Sequence, residues 1–141
     1  MFKVKVLTIG KCKEAWLVEA LAEYEKRLKG TLSLEWSLAK NDAQLLDWLE
    51  QEPFYILLDP KGEQLASEDL SEKLIHFFTQ QGSRLVFAIG GAEGFPPQAS
   101  KRASYILSLS RLTFTHQITR LILVEQLYRS LEIEKGSNYH K

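Results

Sequence analysis

Strand-like and helix-like patterns alternate along the whole chain, and this alternation constrains the fold more than any other feature. Two apolar runs, Phe54–Leu58 and Leu85–Ile89, are short and continuous, which is the pattern of strands buried on both faces of a parallel sheet. Stretches with apolar residues at helical spacing lie between the strand-like runs. This order predicts an α/β fold, with a parallel sheet covered by helices on both faces.

The alternation gives each predicted element its bounds. Strands are predicted at Phe2–Thr8, Leu32–Leu38, Phe54–Leu58, Arg84–Ile89 and Tyr105–Ser110. Helices are predicted at Glu14–Lys29, from Asn41 or Asp42 to Pro53, from Ser67 as N-cap to Gln81, from Pro96 to Ala103, and from His116 to Leu131. Residues Asp59–Gly62 have the composition of a turn that closes the third strand. The segment Glu132–Lys141 shows no periodicity and is predicted to lie outside the last helix.

Length and composition favour one globular domain over residues 1–141. A chain of 141 residues has the usual size of a single domain, and 26% charged with 11% aromatic residues is not the composition of a disordered chain. The single cysteine, Cys12, and three scattered histidines lack the spacing of a zinc site, so no metal is expected. The alternating start Met1–Lys5 is unlike a secretory signal, and no apolar run reaches the roughly 20 residues of a membrane span. A cytoplasmic protein is expected.

The formal net charge of zero hides a division along the chain. Residues 1–99 carry 11 basic and 15 acidic side chains, whereas residues 100–141 carry 7 basic and 3 acidic ones. A basic C-terminal third on a neutral protein favours an anionic ligand such as nucleic acid. The neutral total argues against capture of free RNA by charge alone.

Three predicted strands end in segments of unusual composition, and ligands of open α/β sheets bind at the carboxyl ends of strands. The segments are Leu58–Gly62, Ile89–Phe95 and Ser108–His116. The glycines of the second segment would let a ligand approach the backbone without hindrance from Cβ atoms. That loop matches neither a dinucleotide fingerprint nor a phosphate-binding loop, and a plain tight turn is the alternative.

The third segment combines hydroxyl groups, a cation and apolar side chains between a strand and the longest predicted helix. His116 lies at the predicted helix N-terminus, where the helix dipole disfavours a cationic imidazole. Leu112 and Phe114 have no partners in the predicted pattern, which leaves them available as walls of a site. The alternative is a capping loop, with Thr113 or Thr115 as the N-cap residue and Phe114 as a hydrophobic staple.

The sequence ends in Tyr139, His140 and Lys141. An aromatic ring, an imidazole and an ammonium group together suit stacking on a base and contact with phosphate. A solvated, frayed terminus is the alternative. Removing these residues would affect function only under the first hypothesis.

Four segments, Ile89–Gly94, Leu107–Gln117, Arg120–Arg129 and Tyr139–Lys141, occur in a characteristic order and spacing. Together they closely resemble the RlmH family of small SPOUT-superfamily methyltransferases. The resemblance covers essentially the whole chain, including the run Glu23–Arg27. One position departs from the family pattern, because Thr115 stands where the family usually has a proline before the histidine. A threonine N-cap is an alternative to that fixed turn.

The resemblance implies a C-terminal trefoil knot, an obligate homodimer, and S-adenosylmethionine bound in the knot. By resemblance, the cofactor pocket falls on Leu58, Gly90, Gly91, Ser110, Arg111, Leu112, Thr113, Phe114 and Thr115. The implied reaction is methylation of N3 of a pseudouridine in the helix 69 stem-loop of 23S rRNA, on the assembled ribosome.

Residue roles follow as expectations from the same resemblance. His140 is the first candidate for contacting or deprotonating the target base, and Tyr139 is the candidate stacking platform. Arg129 and Lys141 are expected to hold phosphate or the developing oxyanion. Because one protomer's tail could complete the other's cofactor pocket, an active site shared across the dimer is expected.

Other hypotheses stay open beside this one. His116 and Glu93 are second choices for the chemistry. A non-catalytic module that binds RNA or a nucleotide on the same fold is the alternative from another class of function. A nucleotide hydrolase is disfavoured, because the sequence lacks a phosphate-binding loop and an acidic pair for a metal.

Overall fold

The computed structural model describes residues 1–140, in which strands and helices alternate strictly. The strands are β1 (Phe2–Ile9), β2 (Leu32–Ala39), β3 (Ile56–Gln64), β4 (Arg84–Ile89) and β5 (Tyr105–Ser108). The helices are α1 (Ala15–Leu28), α2 (Asp42–Glu50), α3 (Ser67–Gln80), α4 (Pro97–Arg102) and α5 (His116–Lys135). The predicted order of elements is confirmed.

The strands form a parallel sheet in the order β2-β1-β4-β3-β5. β4 is central and β3 lies beside it, so the two apolar runs occupy the interior of the sheet. Residues Leu85–Ile89 and Tyr55–Leu58 are all buried, because each of these strands has a helix layer on both sides. The predicted parallel α/β architecture is confirmed.

Two hydrophobic cores lie on opposite faces of the sheet. Helices α1, α3 and α5 pack on one face, in a core that includes Val6, Leu17, Leu74, Phe87 and Val124. Helices α2 and α4 pack on the other face, in a core that includes Leu45, Leu49, Leu57, Ala88 and Ala99. Successive residues of β4 alternate between the two cores, as the pleat of a strand requires. Helices therefore cover both faces, as predicted.

The third strand is longer than predicted. The predicted turn at Asp59–Gly62 is wrong, because β3 continues through these residues. The pairing of β3 with β5 shifts register between Leu58 and Glu63. Pro60 lies within the shift and has no N–H to donate to a neighbouring strand. The turn-forming residue types thus mark an irregularity inside a strand.

Other element ends also differ from the prediction, and the largest differences are at β3, α3, β5 and α5. β3 starts at Ile56 instead of Phe54, and β5 stops two residues before its predicted end. Ser67 is the first helical residue of α3 and not its cap, and its hydroxyl donates to Gln126 Oε1 at 3.0 Å. Helix α5 passes the predicted end at Leu131 and reaches Lys135, where Gly136 follows with a φ of 75°.

None of the helices within residues 1–140 is both long enough and apolar enough to cross a membrane.

Candidate active site

A cleft opens where β4 and β5 end and where β3 shifts register after Leu58, beside the first turn of α5. The volume that it encloses is about 140 Å³, below the roughly 300–1,000 Å³ that is usual for small-molecule sites, because the cleft is open to solvent. Residues 58–60, 89–92, 94–95, 109–110 and 112–114 line it, together with His116 and Thr119. The three segments of unusual composition therefore converge on one site.

Seven of the nine predicted cofactor residues line this cleft, and two do not. Those that line it are Leu58, Gly90, Gly91, Ser110, Leu112, Thr113 and Phe114. Arg111 and Thr115 belong to the same segment but are exposed and lie outside the lining. Asp59, Phe95 and Thr119 line the cleft without having been predicted. Their positions next to the three strand ends were the only signal in the sequence.

The glycine loop after β4 is a tight turn whose backbone also forms a wall of the cleft. Gly94 has a φ of 82°, and its amide donates to the Gly91 carbonyl at 3.0 Å. A Cβ on Gly90 would lie 2.9 Å from the backbone of Gly94, so a side chain there would force the loop open. Because Gly90 and Gly91 both line the cleft, the tight turn is what exposes the backbone to a ligand.

The loop before α5 is held by hydroxyl groups. Of the two candidates, Thr113 and Thr115, the N-cap residue is Thr115. Its hydroxyl accepts a hydrogen bond from the Ile118 amide at 3.2 Å. The Ser110 hydroxyl accepts from the Leu112 amide at 3.0 Å. Leu112 remains 71% exposed, because the loop presents it to the cleft rather than to the core. Thr115 thus caps the helix where the family pattern predicts a proline.

His116 lines the cleft and is half-buried. Burial lowers the pKa of His116 from its ordinary value, and the positive charges of Arg120 and Lys13 lower it further. The structure agrees with the expectation that the cationic form of His116 is disfavoured, although burial, rather than the helix dipole, is the main cause of the lower pKa. A neutral imidazole therefore faces the cleft near neutral pH.

Arg120 ties the start of α5 to the end of β1. Its side chain is only 1% exposed, and Nη2 donates to the carbonyls of Ile9 and Gly10 at 2.9 and 2.8 Å. Burial lowers the pKa of Arg120. This contact was not predicted, because its partners are more than 100 positions away in the sequence.

The C-terminal residues fold back onto the helices. Gly136 ends α5, and the Ser137 amide donates to the Glu132 carbonyl at 3.0 Å, which is the hydrogen bond that turns a chain at a glycine C-cap. Tyr139 and His140 are both half-buried. Up to His140, the terminus therefore packs against the protein rather than extending into solvent. The predicted RNA-binding residue Lys141 lies outside the described residues.

Glu125, Arg129, Tyr139 and His140 form a connected group, which we call the tail cluster. Glu125 accepts from Arg129 Nη2 at 3.0 Å and from Nε at 3.4 Å, and it accepts from the Tyr139 hydroxyl at 2.8 Å. The hydrogen bond with Glu125 raises the pKa of Arg129. Burial, and then the hydrogen bonds with Tyr24 and Glu125, raise the pKa of Tyr139. The three predicted catalytic residues are thus brought together around an acid that was not predicted.

His140 is the outermost member of the tail cluster. Its Nδ1 lies 2.9 Å from Arg129 Nη1, and its Nε2 lies 3.0 Å from Glu68 Oε1 on α3. Arg129 also stands over the Tyr139 ring, with its Cζ 4.9 Å from the ring centroid. The cluster therefore joins α3, α5 and the terminal residues.

The tail cluster and the cleft are far apart within one chain. None of the four cluster residues lines the cleft, and Arg129 lies 10 residues along α5 from Thr119, which lines the cleft, or about 15 Å at the rise of a helix. Reacting atoms must approach to about 3–3.5 Å. Glu93, a second-choice residue, is exposed and does not line the cleft. One copy of the chain therefore does not bring His140, the predicted general base, to the predicted cofactor pocket.

No group of three or more His, Cys, Asp or Glu side chains within residues 1–140 is arranged to hold a metal ion.

Comparison with known proteins identifies the family. Residues 2–140 match a family model described as "Predicted SPOUT methyltransferase". The chain belongs to the SPOUT methyltransferase family. The match covers both the cleft and the described part of the tail cluster, so the two groups of residues are parts of one family domain.

The chain also matches curated relatives over all or almost all of their lengths. The chain is 52% identical over 141 residues to "Ribosomal RNA large subunit methyltransferase H" of Protochlamydia amoebophila, with 100% of both chains covered. It is 37% identical to the protein of the same name from Streptococcus mutans and 39% identical to that from Pelotomaculum thermopropionicum, with 99% of each chain covered in both cases. The predicted resemblance to the RlmH-type SPOUT methyltransferases is confirmed.

Proposed function

We propose that the protein transfers a methyl group from S-adenosylmethionine to ribosomal RNA of the large subunit. More specifically, the acceptor is N3 of a pseudouridine in the helix 69 stem-loop of 23S rRNA, on the assembled ribosome. It treats residues 1–141 as one methyltransferase domain that acts as a cytoplasmic homodimer. The observation that carries it is the convergence of the ends of β4 and β5 and the irregular stretch of β3 on one cleft in a chain of this family.

The residues of the cleft fit S-adenosylmethionine. The apolar side chains of Leu112 and Phe114 suit the adenine ring, and the unhindered backbone of the glycine loop suits hydrogen bonds to the polar groups. The residues that would hold it are Leu58, Gly90, Gly91, Ser110, Leu112, Thr113 and Phe114. When bound, it supplies an electrophilic methyl group on a sulfonium centre. We place this cofactor at a C-terminal trefoil knot, in keeping with the meeting of the segments after β4 and β5 at the cleft.

The tail cluster supplies the side chains that methylation of the acceptor base requires. The N3 nitrogen of a pseudouridine carries a proton at neutral pH, so a base or a stabiliser of the anion is required. His140 takes that role, Arg129 stabilises the oxyanion that develops on the ring carbonyls, and Tyr139 offers a face for stacking. Lys141 would add a phosphate contact.

A second copy of the chain is needed to join the two halves of this site. Arg129, which contacts His140, lies about 15 Å from the cleft along α5, so the cluster of one protomer would serve the cleft of its partner. Trp16, Val18 and Ile118 are 52%, 51% and 38% exposed on α1 and α5. Burial of such side chains between two copies is favourable, which supports a homodimer.

Calorimetry and methyl transfer together test the proposal. S-adenosylmethionine is expected to bind the folded protein, and transfer to ribosomes should place one methyl group on a pseudouridine detectable by mass spectrometry. Deletion of Tyr139–Lys141 should abolish transfer while leaving cofactor affinity nearly unchanged, because Tyr139 and His140 do not line the cleft. Absence of cofactor binding to the folded protein would refute the methyltransferase proposal.

The alternative is a non-catalytic RNA- or nucleotide-binding module. The separation of the tail cluster from the cleft within one chain favours it, because a lone copy could bind a ligand without completing a reaction. Under this alternative, ribosomal RNA binds but no methyl group is transferred, and rRNA from cells lacking the protein has the same methyl groups as wild-type rRNA.

A further inference from the structure

The contacts of His140 determine which of its ring nitrogens carries the proton. Arg129 Nη1 lies 2.9 Å from Nδ1, and a guanidinium only donates hydrogen bonds. Nδ1 is therefore the acceptor, and the proton of the neutral ring lies on Nε2. Nε2 lies 3.0 Å from Glu68 Oε1, to which it donates. The ring is held as one tautomer by groups on two different helices.

We propose that Glu68 is a positioning residue for His140, whose carboxylate fixes the Nε2–H tautomer and so leaves Nδ1 as the proton acceptor. The inference rests on the proposed function, in which His140 contacts or deprotonates the target base. Orientation of an imidazole by a carboxylate at one nitrogen, so that the other can take a proton, is a general arrangement in catalysis. Here α3 supplies the carboxylate, and the end of the chain supplies the imidazole.

The position of Arg129 indicates how the acceptor base would enter. Its Nη1–H occupies the place at Nδ1 where the N3–H of a uracil-type ring would lie, and the same guanidinium can then move to a ring carbonyl. The N3–H bond breaks as the Nδ1–H bond forms, and N3 keeps the electron pair. That pair forms the bond to the methyl group, and the electron pair of the broken S–C bond stays on the sulfur of the thioether product. The imidazolium later releases its proton to solvent.

The charged groups around His140 favour this role for Glu68. Arg129 is already paired with Glu125 through two nitrogens, so the positive charge facing Nδ1 is largely balanced. Tyr139 is the neutral neighbour. Hydrogen bonds, first from its own backbone amide and then from His140, hold the pKa of Glu68 below its ordinary value. The carboxylate is therefore ionised at neutral pH and can stabilise an imidazolium.

The test compares two acidic residues in the same helical turn. Glu68→Gln keeps the size and an acceptor oxygen but removes the charge. Asp69→Asn is the matched control, because Asp69 is exposed and makes no hydrogen bond or ion pair within residues 1–140. Methyl transfer to ribosomes is measured in single turnovers. The tautomer of the His140 ring is determined from its ring-nitrogen signals by NMR on the same proteins, with His140→Gln used to assign these signals.

Two results are expected for Glu68→Gln and neither of them for Asp69→Asn. The limiting rate falls about 10- to 100-fold, and the Nε2–H tautomer of the ring loses population, because a neutral amide oxygen accepts a hydrogen bond more weakly than a carboxylate does. Cofactor affinity stays unchanged.

Failure of this inference is distinguishable from failure of the proposed function. A wild-type protein that transfers methyl groups, with a Glu68→Gln variant equal to Asp69→Asn in rate, overturns the positioning role alone. A changed ring tautomer without a fall in rate overturns it as well. A wild-type protein that transfers no methyl group refutes the proposed function, and the positioning role of Glu68 with it, whichever tautomer the ring adopts.

Discussion

Arg120 is a buried cation that carbonyl groups hold in place of an acid. The side chain is 1% exposed, and it forms no ion pair with any of residues 1–140. Two backbone carbonyls, of Ile9 and Gly10, receive its hydrogen bonds. A buried charge is costly unless it is well hydrogen-bonded, so this contact fixes where α5 begins relative to β1. The adjacent turn of the helix carries His116 and Thr119 into the cleft.

Replacing Arg120 should destabilise the fold. We expect Arg120→Met to lower the free energy of unfolding by about 2 kcal/mol, because the two carbonyls lose their donor while the apolar stem is retained. Urea denaturation measures the change. Arg111→Met is the control, since Arg111 is exposed, and it should alter stability by less than about 0.5 kcal/mol. Equal stability of the two variants would contradict a structural role for Arg120.

His116 should make stability depend on pH. Its pKa is lowered in the folded state, so protonation favours the unfolded chain. The contribution is fully present above the ordinary value of about 6.5 and is lost as the pH falls below it. Between pH of about 7.5 and 5.5, wild type should lose more stability than His116→Gln, as measured by urea denaturation. His76→Gln, at an exposed site on α3, should lose as much as wild type; identical losses in all three proteins would contradict the prediction.

Most elements could be predicted from the sequence, because hydrophobic periodicity reports local burial. The misplaced boundaries depend on distant groups. β3 runs through Asp59–Gly62 because β5 pairs with it on both sides of a register shift. Ser67 lies inside α3, where its hydroxyl donates a hydrogen bond to Gln126 on α5. Turn and cap preferences are local properties, so they could not reveal these contacts.

The irregular stretch of β3 depends on a glycine. A Cβ on Gly62 would lie 2.6 Å from the carbonyl oxygen of Ile106 in β5, and that backbone cannot move without disturbing the paired strand. We expect Gly62→Ala to cost about 1–3 kcal/mol in the free energy of unfolding. Lys61→Ala, at an exposed neighbouring position, is the control and should be nearly neutral. Gly62→Ala as stable as the control would show that β5 can shift freely.

At the scale of the whole molecule, the sequence predicted the parts of the site but not their separation. Strand ends that carry glycines and hydroxyl groups predicted the cleft, and the family motif predicted the importance of Tyr139 and His140. That the terminus packs on α5 beside Arg129, about 15 Å from the cleft, depends on hydrogen bonds to Glu125 and Glu68. Hydrophobic periodicity also carries no information on chain threading, so it cannot predict a knot.

A mixing experiment tests whether two copies share each site. His140→Gln damages the tail cluster and leaves the cleft intact, whereas Thr113→Trp fills the cleft and leaves the tail cluster intact. Each variant alone should be inactive. After equal amounts exchange subunits, half of the dimers are mixed and each holds one intact site, so about a quarter of the wild-type activity should return. Methyl transfer to ribosomes measures it. A mixture that stays inactive after verified subunit exchange would mean that each chain uses its own tail, and α5 would then have to rearrange to bring His140 to the cleft.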